Sequence, residues 1–387
     1  MNEILITNAK IITPESTIAQ GWLVARDGII AAIAGGTPPD ISNIPVIDAD
    51  GLTLLPGFID IHVHGAVGAD TMDANPASLE KMAVFFAKQG VTGFTPTTLT
   101  SSHEQTLAAL QTIKTMMNRP HEGAAILGCH LEGPYLNLEK SGAQNTQYIR
   151  RAERAEATAY LDADVIRLIS IAPEFEENHW LIDECVQRGI TVSAAHTNAT
   201  YQQMRDAIAM GITHATHTYN AMTGLHHREP GVLGAVMESS AVRCELIADN
   251  IHVHPAAMNV LWSAKGKDRL ILITDSMQAA GMPDGSYKLG DYSVTVANGS
   301  ATLANGTLAG SIITMQRAVH NFMQATGESL ETIWRVMSLN PARAIHLGHC
   351  KGSLEIGKDA DMVLVNSDMD VCLTIVGGKV VYDAADS

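Results

Sequence analysis

Eight short apolar runs, separated by segments of helical period, restrict the fold of this chain more than any other feature. The runs occupy 57–64, 90–98, 124–133, 165–173, 189–197, 212–220, 244–253 and 270–276. Between them, segments such as 78–90 and 102–118 carry apolar residues at the spacing of one helix face. Strands that alternate with helices are typical of parallel sheets. Eight such units over roughly 290 residues predict an α/β fold, a (β/α)8 TIM-like barrel over 54–345.

The two ends of the chain carry a different pattern. Residues 1–53 and 346–387 show short β-like pieces without helical period, and Gly377-Gly378 indicates a hairpin turn. We expect both ends to pair into one small β domain beside the barrel. Residues 284–307 read as a β insertion with turns at Asn298-Gly299 and Asn305-Gly306, close enough to the last apolar run to form a rim or lid.

Composition excludes several classes of partner. A formal net charge of −16 disfavours nucleic acid, because binding to nucleic acid depends on cations that neutralise phosphates. No apolar run approaches the ~18 residues that span a bilayer, and the N-terminal residues lack the pattern of a secretory signal. Five scattered cysteines without a CxxC pair argue against a disulfide framework and a thiolate zinc site. We therefore expect a cytoplasmic protein without a membrane partner.

Polar residues gather at the ends of the predicted strands, where a parallel barrel places its catalytic groups. His62 and His64 end the first run and share one strand face, since side chains alternate along a strand. The later runs end in Glu132, His196, His217 and Asp275. An isolated HxH pair is equally compatible with hydrogen-bonded core histidines. Together with the other strand-end residues, however, the pair forms a set of imidazoles and carboxylates, and such a set favours a divalent transition metal such as zinc, iron, manganese or cobalt.

The motifs together resemble the amidohydrolase superfamily and, within it, the N-acetylglucosamine-6-phosphate deacetylase family. They are PGFIDIHVHG, HLEGPYLN, SAAHTNAT, ATHTYNAM, REPG, LITDSMQAAG, GTLAGS, NPARAIHLG and GSLEIGKDADMVLV. The resemblance implies a barrel with a β-sandwich built from both termini. It also implies hydrolysis of the acetamide of N-acetylglucosamine 6-phosphate, giving glucosamine 6-phosphate and acetate in amino-sugar catabolism.

Metal and catalytic roles follow from the same resemblance. Glu132, His196 and His217 correspond to the metal ligands, and His62 with His64 would bind a second ion that Glu132 bridges. One or two ions per subunit are thus implied, with zinc the first choice. Asp275 would act as general base and then general acid, taking the proton of the attacking water and returning it to the leaving amine. The alternative is a structural role for Asp275, as a turn or helix-capping residue after a strand.

The resemblance also assigns substrate contacts. Asn220, Ala221 and Arg228 would hold the phosphate, and His252 would reach the substrate. The remaining contacts would come from Ala143, Gln144, Leu308, Ala309 and Gly310. Where some family members carry a histidine, this chain has Gln144, which donates a hydrogen bond but carries no charge. Two alternatives stay open: Arg228 pairs with Glu229, or His252 and His254 form a rival metal pair.

Two other functions are compatible with the sequence. One is a deacetylase for a different N-acyl substrate, such as N-acetylgalactosamine 6-phosphate. The other is a non-catalytic scaffold of amidohydrolase fold, although such proteins usually lose ligands that this chain retains. The family is commonly dimeric or tetrameric, so a homodimer or homotetramer is implied, with a phosphate site that a neighbouring subunit can complete.

Overall fold

The computed structural model describes residues 3–38, 44–117, 119 and 122–386. The chain adopts a mixed α/β fold in which a curled parallel sheet carries helices on its outside and a second sheet unites the two ends of the chain. In the described part of the chain, no helix combines the length and apolar character that would let it cross a membrane.

The strands run in chain order as follows: β1 Glu3–Ile12, β2 Thr17–Arg26, β3 Ile29–Gly35, β4 Val46–Asp48, β5 Thr53–Pro56, β6 Phe58–Val63, β7 Gly65–Ala66, β8 Ala69–Asp70, β9 Val91–Pro96, β10 Ala125–Ile126, β11 Cys129–Glu132, β12 Ile166–Ile171, β13 Thr191–Ala194, β14 His214–Ala215, β15 Arg243–Ile247, β16 Leu270–Ile273, β17 Gly285–Leu289, β18 Tyr292–Ala297, β19 Ser300–Thr302, β20 Met362–Val365, β21 Val371–Val376 and β22 Lys379–Asp383.

The helices are α1 Pro76–Lys88, α2 His103–Met117, α3 Arg154–Leu161, α4 His179–Gln187, α5 Tyr201–Met210, α6 Gly231–Glu238, α7 Pro255–Arg269, α8 Met315–Thr326, α9 Leu330–Met337 and α10 Leu339–Ala344. Local sequence explains several of their ends. Thr200 and Gln203 form the capping box that starts α5, and Gly211 ends it at a φ of 122°. Gly90 follows α1 at a φ of 79°, a conformation that costs little without a Cβ.

The parallel strands pair in two groups, β10-β9-β6 and β11-β12-β13-β14-β15-β16. Single bridges connect the groups at both ends, Thr97 to His130 and Val63 to Ser276. The backbone N–H of Asp275 also donates to the carbonyl of His62 at 2.9 Å, so the first and last strands meet. This curvature brings the carboxyl ends of distant strands around one space.

The terminal sheet combines both ends of the chain, in the order β22-β21-β20-β5-β1-β2-β3 with β4 beside β1. The pairing of β20 with β5 is antiparallel and joins residues more than 300 positions apart, such as Leu364 with Leu54. A separate apolar core fills this region, built around Ile6, Leu54 and Met362. Gly377 and Gly378 make the predicted turn between β21 and β22, both at positive φ.

Two predicted strands differ from the structure. The run at 124–133 is divided into β10 and β11 because Gly128, at a φ of 141°, interrupts the strand. The run at 212–220 keeps only His214 and Ala215 as strand, since the chain turns before His217. The insertion forms the small sheet β17-β18-β19, with Asn298 and Gly299 in its predicted turn.

Gly65 begins β7, two residues after the end of β6, and we expect this position to tolerate no side chain. A Cβ at Gly65 would lie 2.3 Å from the backbone oxygen of Ala69 and 2.9 Å from the backbone nitrogen of Gln278. Backbone atoms cannot move away cheaply, so Gly65→Ala should lower the free energy of unfolding by about 1–3 kcal/mol. Denaturant titration measures this.

Gly285→Ala is the matched control for that prediction. A Cβ there would meet no atom closer than 3.6 Å, an ordinary contact distance. If the two alanine variants unfold at the same denaturant concentration as the parent chain, the close approach of Gly65 does not constrain the fold.

Candidate metal and catalytic site

Six side chains from five strand ends converge on one point inside the curled sheet. His62 lies within β6 and His64 just after it, while Glu132 is the last residue of β11. The other three follow β13, β14 and β16 by two residues each: His196, His217 and Asp275. All six are at most 7% exposed. The sequence expectation that these residues meet therefore agrees with their positions.

Glu132 lies at the centre of this convergence, between two pairs of imidazoles. Its Oε1 is 3.4 Å from His196 Nε2 and 3.3 Å from His217 Nε2, and these two nitrogens are 3.2 Å apart. Its Oε2 is 3.3 Å from His64 Nε2. The donor atoms thus form two potential metal-binding groups, His62–His64–Glu132 and Glu132–His196–His217.

Asp275 faces the first pair. Its Oδ1 lies 3.3 Å from His62 Nε2 and 3.2 Å from His64 Nε2. Among the described residues, this oxygen and Glu132 Oε1 accept no hydrogen bond although both are buried. Buried carboxylate oxygens without a partner are rare, so both atoms call for a cation.

The spacing of the donor atoms fits a divalent transition metal. Nitrogen and oxygen ligands about 2.0–2.1 Å from one tetrahedral ion lie about 3.3–3.4 Å from each other. The separations around Glu132 Oε1 fall close to this value. Imidazole and carboxylate donors are also the ligand types that such ions prefer. The residues present therefore fit one ion in the Glu132–His196–His217 group and leave donors for another.

The electrostatics of the cluster likewise favour positive charge. Burial acts most strongly and would raise the pKa of Asp275, but the charges of His62 and His64 outweigh it and lower that pKa to about 2. Burial opposes charge on His64 as well, yet Asp275 and Glu132 raise its pKa to about 9. The carboxylates are therefore ionised at neutral pH and hold whatever cation is available, either a proton on imidazole or a metal ion.

Backbone strain marks three of the converging residues. His196, His217 and Asp275 have φ values of 43°, 30° and 51°, in the left-handed region that residues other than glycine seldom adopt. Such strain persists only where the surroundings enforce it, and it is concentrated at functional sites. Each of these residues turns away from its strand at this point, which directs its side chain toward the shared centre.

Two buried carboxylates that the sequence reasoning missed support His62 from behind. Glu245 on β15 accepts from His62 Nδ1 at 3.1 Å and from the backbone N–H of His217 at 3.3 Å. Asp60 accepts from the backbone N–H of His62 and from the hydroxyl of Thr274. Each is a carboxylate within an apolar strand, and that signal could have identified both. The contact with Glu245 leaves His62 Nε2 directed at the cluster.

A cavity of about 380 Å³ opens onto the cluster. It is lined by most of the substrate residues expected from the sequence: Ala143, Gln144, Asn220, Ala221, His252, Leu308 and Gly310. Leu99, Lys140 and Leu289 also line it and were not anticipated. Leu289 ends β17, so the insertion does form part of the rim.

Two expected substrate residues lie elsewhere. Arg228 is exposed on the loop before α6 and donates to His227 at 2.6 Å, so neither the cavity nor Glu229 engages it. Ala309 is fully buried, and its backbone N–H donates to the carbonyl of Ala301. Neither residue lines the cavity. Their roles in substrate binding remain predictions.

The amide of Gln144 is held by the cluster itself. Its nitrogen donates to Glu132 Oε2 at 2.7 Å, and its oxygen accepts from the backbone N–H of Thr100 at 2.8 Å. Gln144 therefore orients the central carboxylate. One amide hydrogen remains for a substrate oxygen, because a side-chain amide has two.

Three further histidines near the site have different roles. His252 lines the cavity, and its Nδ1 lies 2.6 Å from Asp249. His254 instead caps α7 by accepting from the backbone N–H of Ala256, so the rival HxH pair does not form. His130 is fully buried and hydrogen-bonded to Ser170, which is a core role.

Comparisons with known proteins agree with this geometry. The model of the amidohydrolase family matches residues 53–381. The chain is 38% identical to the N-acetylglucosamine-6-phosphate deacetylase of Bacillus subtilis (strain 168) over 98% of this chain and 97% of that protein. It is 40% identical to the N-acetylgalactosamine-6-phosphate deacetylase of Escherichia coli O157:H7 over 94% and 95%. The crystal structure of N-acetylglucosamine-6-phosphate deacetylase from Pasteurella multocida superimposes with a TM-score of 0.92 at 34% identity, covering 98% of this chain and 99% of that one.

The contact between Glu245 and His62 yields a test of metal binding. We expect Glu245→Gln to weaken metal binding by about 10–100-fold, because the uncharged amide orients and polarises the imidazole less well. Metal content after dialysis against graded chelator, measured by elemental analysis, reports this directly.

Glu156→Gln is the control for Glu245→Gln. Glu156 is a carboxylate paired with Arg150, and it does not line the cavity. This variant should keep the metal content of the parent chain. If Glu245→Gln retains metal equally well at every chelator concentration, Glu245 does not support the ligand set.

Proposed function

The chain belongs to the amidohydrolase family, and we propose that it hydrolyses the acetamide of N-acetylglucosamine 6-phosphate to glucosamine 6-phosphate and acetate. The observation that carries this proposal is the cavity that ends on Glu132, Asp275 and the imidazoles of His64, His196 and His217, with His62 buried beside them. Amide hydrolysis needs an activated water, a polarised carbonyl and a proton donor for the amine. This cluster offers residues for each requirement.

Glu132, His196 and His217 would hold the principal ion, and His62 and His64 would share a second with Glu132. We favour zinc because imidazole and carboxylate donors at tetrahedral spacing suit it. When bound, a divalent ion supplies Lewis acidity, which polarises the acetamide carbonyl and makes water a stronger nucleophile at neutral pH. Glu245 and Gln144 would keep the donor atoms in place.

Asp275 would carry the proton. Its carboxylate is ionised at neutral pH and borders the cavity, so it can accept a proton as water adds to the acetamide carbon. The same carboxyl group then protonates the nitrogen as the C–N bond breaks, which releases a neutral amine and acetic acid, and the acid passes its own proton to the amine or to solvent to become acetate. The left-handed backbone at Asp275 holds this carboxylate in the cluster and keeps it from turning toward solvent.

Recognition of the sugar phosphate would use further residues of the cavity lining. Asn220, Ala221 and His252 lie there, and Lys140 adds a cationic side chain that the sequence did not suggest. Ala143, Gln144, Leu308 and Gly310 would border the sugar and its acetyl group, with Ala309 behind them. Arg228 would reach a phosphate from its exposed loop, which is consistent with a homodimer or homotetramer in which subunits complete each other's sites.

We also propose the finer architecture expected from the sequence. The single bridges between the two groups of parallel strands support a closed (β/α)8 barrel over 54–345, and the sheet made from 1–53 and 346–387 supports a β-sandwich beside it. Strand β5 spans the first boundary, because it pairs with both β1 and β20. A place among the enzymes of cytoplasmic amino-sugar catabolism follows from the proposed reaction.

A second candidate substrate is N-acetylgalactosamine 6-phosphate. The observation in its favour is the Escherichia coli O157:H7 relative, whose identity of 40% lies between the 38% and 42% of two relatives named for the glucosamine epimer. The epimers differ only in the orientation of the 4-hydroxyl. One misplaced hydrogen bond at a buried polar contact can change relative rates greatly.

Acetate release from three compounds tests the substrate proposal: both 6-phosphate epimers and unphosphorylated N-acetylglucosamine, beside a control without sugar. We expect the highest kcat/KM for N-acetylglucosamine 6-phosphate, at least tenfold above the other compounds, and loss of activity with chelator. A higher kcat/KM for the galactosamine epimer would select the second candidate. No release from either epimer with metal restored would exclude both.

Asp275→Asn tests the assigned proton carrier. We expect kcat to fall by about 10²–10⁴-fold, the usual contribution of a general acid–base group, while the protein retains the ion in the Glu132–His196–His217 group. Elemental analysis measures the metal, and steady-state kinetics measures kcat. Near-normal turnover with metal bound would show that Asp275 does not carry the proton.

A further inference from the structure

A second group of cationic side chains lies at the opposite edge of the parallel sheet from the metal and catalytic site. We name it the basal cluster, and it comprises Arg167, Arg243, Arg269, Arg343, His214 and His346. Arg167, His214 and Arg243 lie at or near the amino ends of β12, β14 and β15. Arg269 ends α7, and Arg343 and His346 belong to the last turn of α10 and the residues after it. The proposed deacetylase reaction makes no use of them.

Strand register places the basal cluster together. His214 and Arg243 begin neighbouring strands and are directly paired. Arg269 precedes Leu270, which pairs with Cys244, so Arg269 lies beside Arg243. On the other side, Arg167 lies near the start of β12.

The last turn of α10 and the residues after it pack against the strand starts at the basal cluster. Thr191 at the start of β13 donates its hydroxyl to the carbonyl of Ala344 and lies 3.1 Å from His346 Nε2. Since that hydroxyl hydrogen is already used, His346 Nε2 is the donor in the second contact. Arg343 and His346 are therefore held against the sheet edge while their outer parts stay exposed.

The charges of the basal cluster lack carboxylate partners. Among the residues that the structure describes, none of its four guanidinium groups forms an ion pair, although the chain has a net charge of −16. The Nε atoms of Arg167 and Arg243 are buried without an acceptor. His214 is 1% exposed, and its Nε2 has no partner while Nδ1 bonds Thr213.

Two carboxylates lie near the basal cluster, but other groups already hold them. Asp268 is 3.6 Å from Arg335, and Glu355 is 3.0 Å from Lys358. Burial lowers the pKa of Arg243 to about 10, with further effects from Arg269 and Arg343. Like charges held together at this cost indicate a missing counter-charge.

We propose that the basal cluster is a binding site for a small tetrahedral oxyanion of the phosphate class. Planar guanidinium forks match the oxygens of such an anion, and His214 Nε2 provides a buried partner. The exposed sides of Arg343 and His346 provide entry from solvent. Inorganic phosphate and the phosphate ester of a small metabolite share this chemistry.

This site is separate from the proposed active site. Thr191 begins β13 and His196 follows its end by two residues, so the two are at most roughly 16 Å apart at about 3.3 Å per residue, at opposite ends of the strand. An anion in the basal cluster would contact the starts of β14 and β15 and the end of α10. Strand β14 leads to His217 and strand β15 contains Glu245, so both strands connect the basal cluster with the metal and catalytic site.

Isothermal titration of the metal-loaded enzyme with inorganic phosphate, and separately with glucose 6-phosphate, tests the proposal at constant ionic strength. The variants are Arg343→Gln, whose side chain is exposed, and Arg243→Gln, with Arg188→Gln as control. Arg188 is a surface arginine paired with Asp162 and Glu184. Competitive inhibition of turnover by phosphate separately reports binding in the active-site cavity.

We expect one equivalent of anion to bind outside the active site, and its dissociation constant to rise at least tenfold in Arg343→Gln and Arg243→Gln but not in Arg188→Gln. The inhibition constant at the active site should stay within twofold in all three variants. Binding of both ligands identifies a phosphate ester as an acceptable occupant, and binding of phosphate alone identifies the free anion. No binding outside the active site, or equal binding in every variant, overturns the proposal.

Discussion

The shared carboxylate of Glu132 is the interaction on which the rest of the site depends. One of its oxygens faces His196 and His217, and the other faces His64 and accepts from Gln144. A carboxylate in this position unites donors from strands that are far apart in sequence, so the curvature of the whole sheet must be correct before any group can bind a cation. The left-handed backbone at three of the converging residues is then a consequence, because each chain segment must turn sharply at its strand end to reach the same centre.

Buried charge explains why the surroundings of this carboxylate are so polar. Glu132, Asp275, Glu245 and Asp60 all lie almost completely inside the protein, where an unpaired anion is very costly. Imidazoles compensate Glu132 and Asp275. Glu245 accepts from His62 and a backbone N–H, and Asp60 accepts from a backbone N–H and the Thr274 hydroxyl. Burial still raises the pKa of Asp60 to about 7, so this carboxyl contributes less negative charge than its ionised neighbours. A divalent ion held by Glu132 would offset part of the negative charge that these carboxylates place beneath the cavity.

The sequence predicted those parts of the molecule that local pattern controls. Alternating runs and helical segments indicated which residues end strands, and that sufficed to expect His62, His64, Glu132, His196, His217 and Asp275 near one another. Turn chemistry placed Asn298-Gly299 and Gly377-Gly378 correctly. The sequence could not show how Gln144 divides its amide between Glu132 and Thr100, or that Ala309 points into the core. These outcomes depend on distances between loops, and no periodicity encodes such distances. Glu245 was visible as a carboxylate in an apolar strand, but its partner His62 lies 183 positions away.

The parallel sheet therefore separates charge along its strands. Carboxylates and imidazoles converge at the carboxyl ends of the strands, where they attract a cation. Guanidinium groups from two strands and from α7 and α10 lie at the amino ends, where they would attract an anion. A chain with a net charge of −16 repels anionic ligands over most of its surface, so local groups must overcome that repulsion wherever a phosphate binds. In the cavity, Lys140, His252 and the backbone around Asn220 would be available for this purpose, and a divalent ion held by Glu132, His196 and His217 would add positive charge. At the basal cluster, the arginines alone supply it, and this is why their lack of carboxylate partners carries physical meaning.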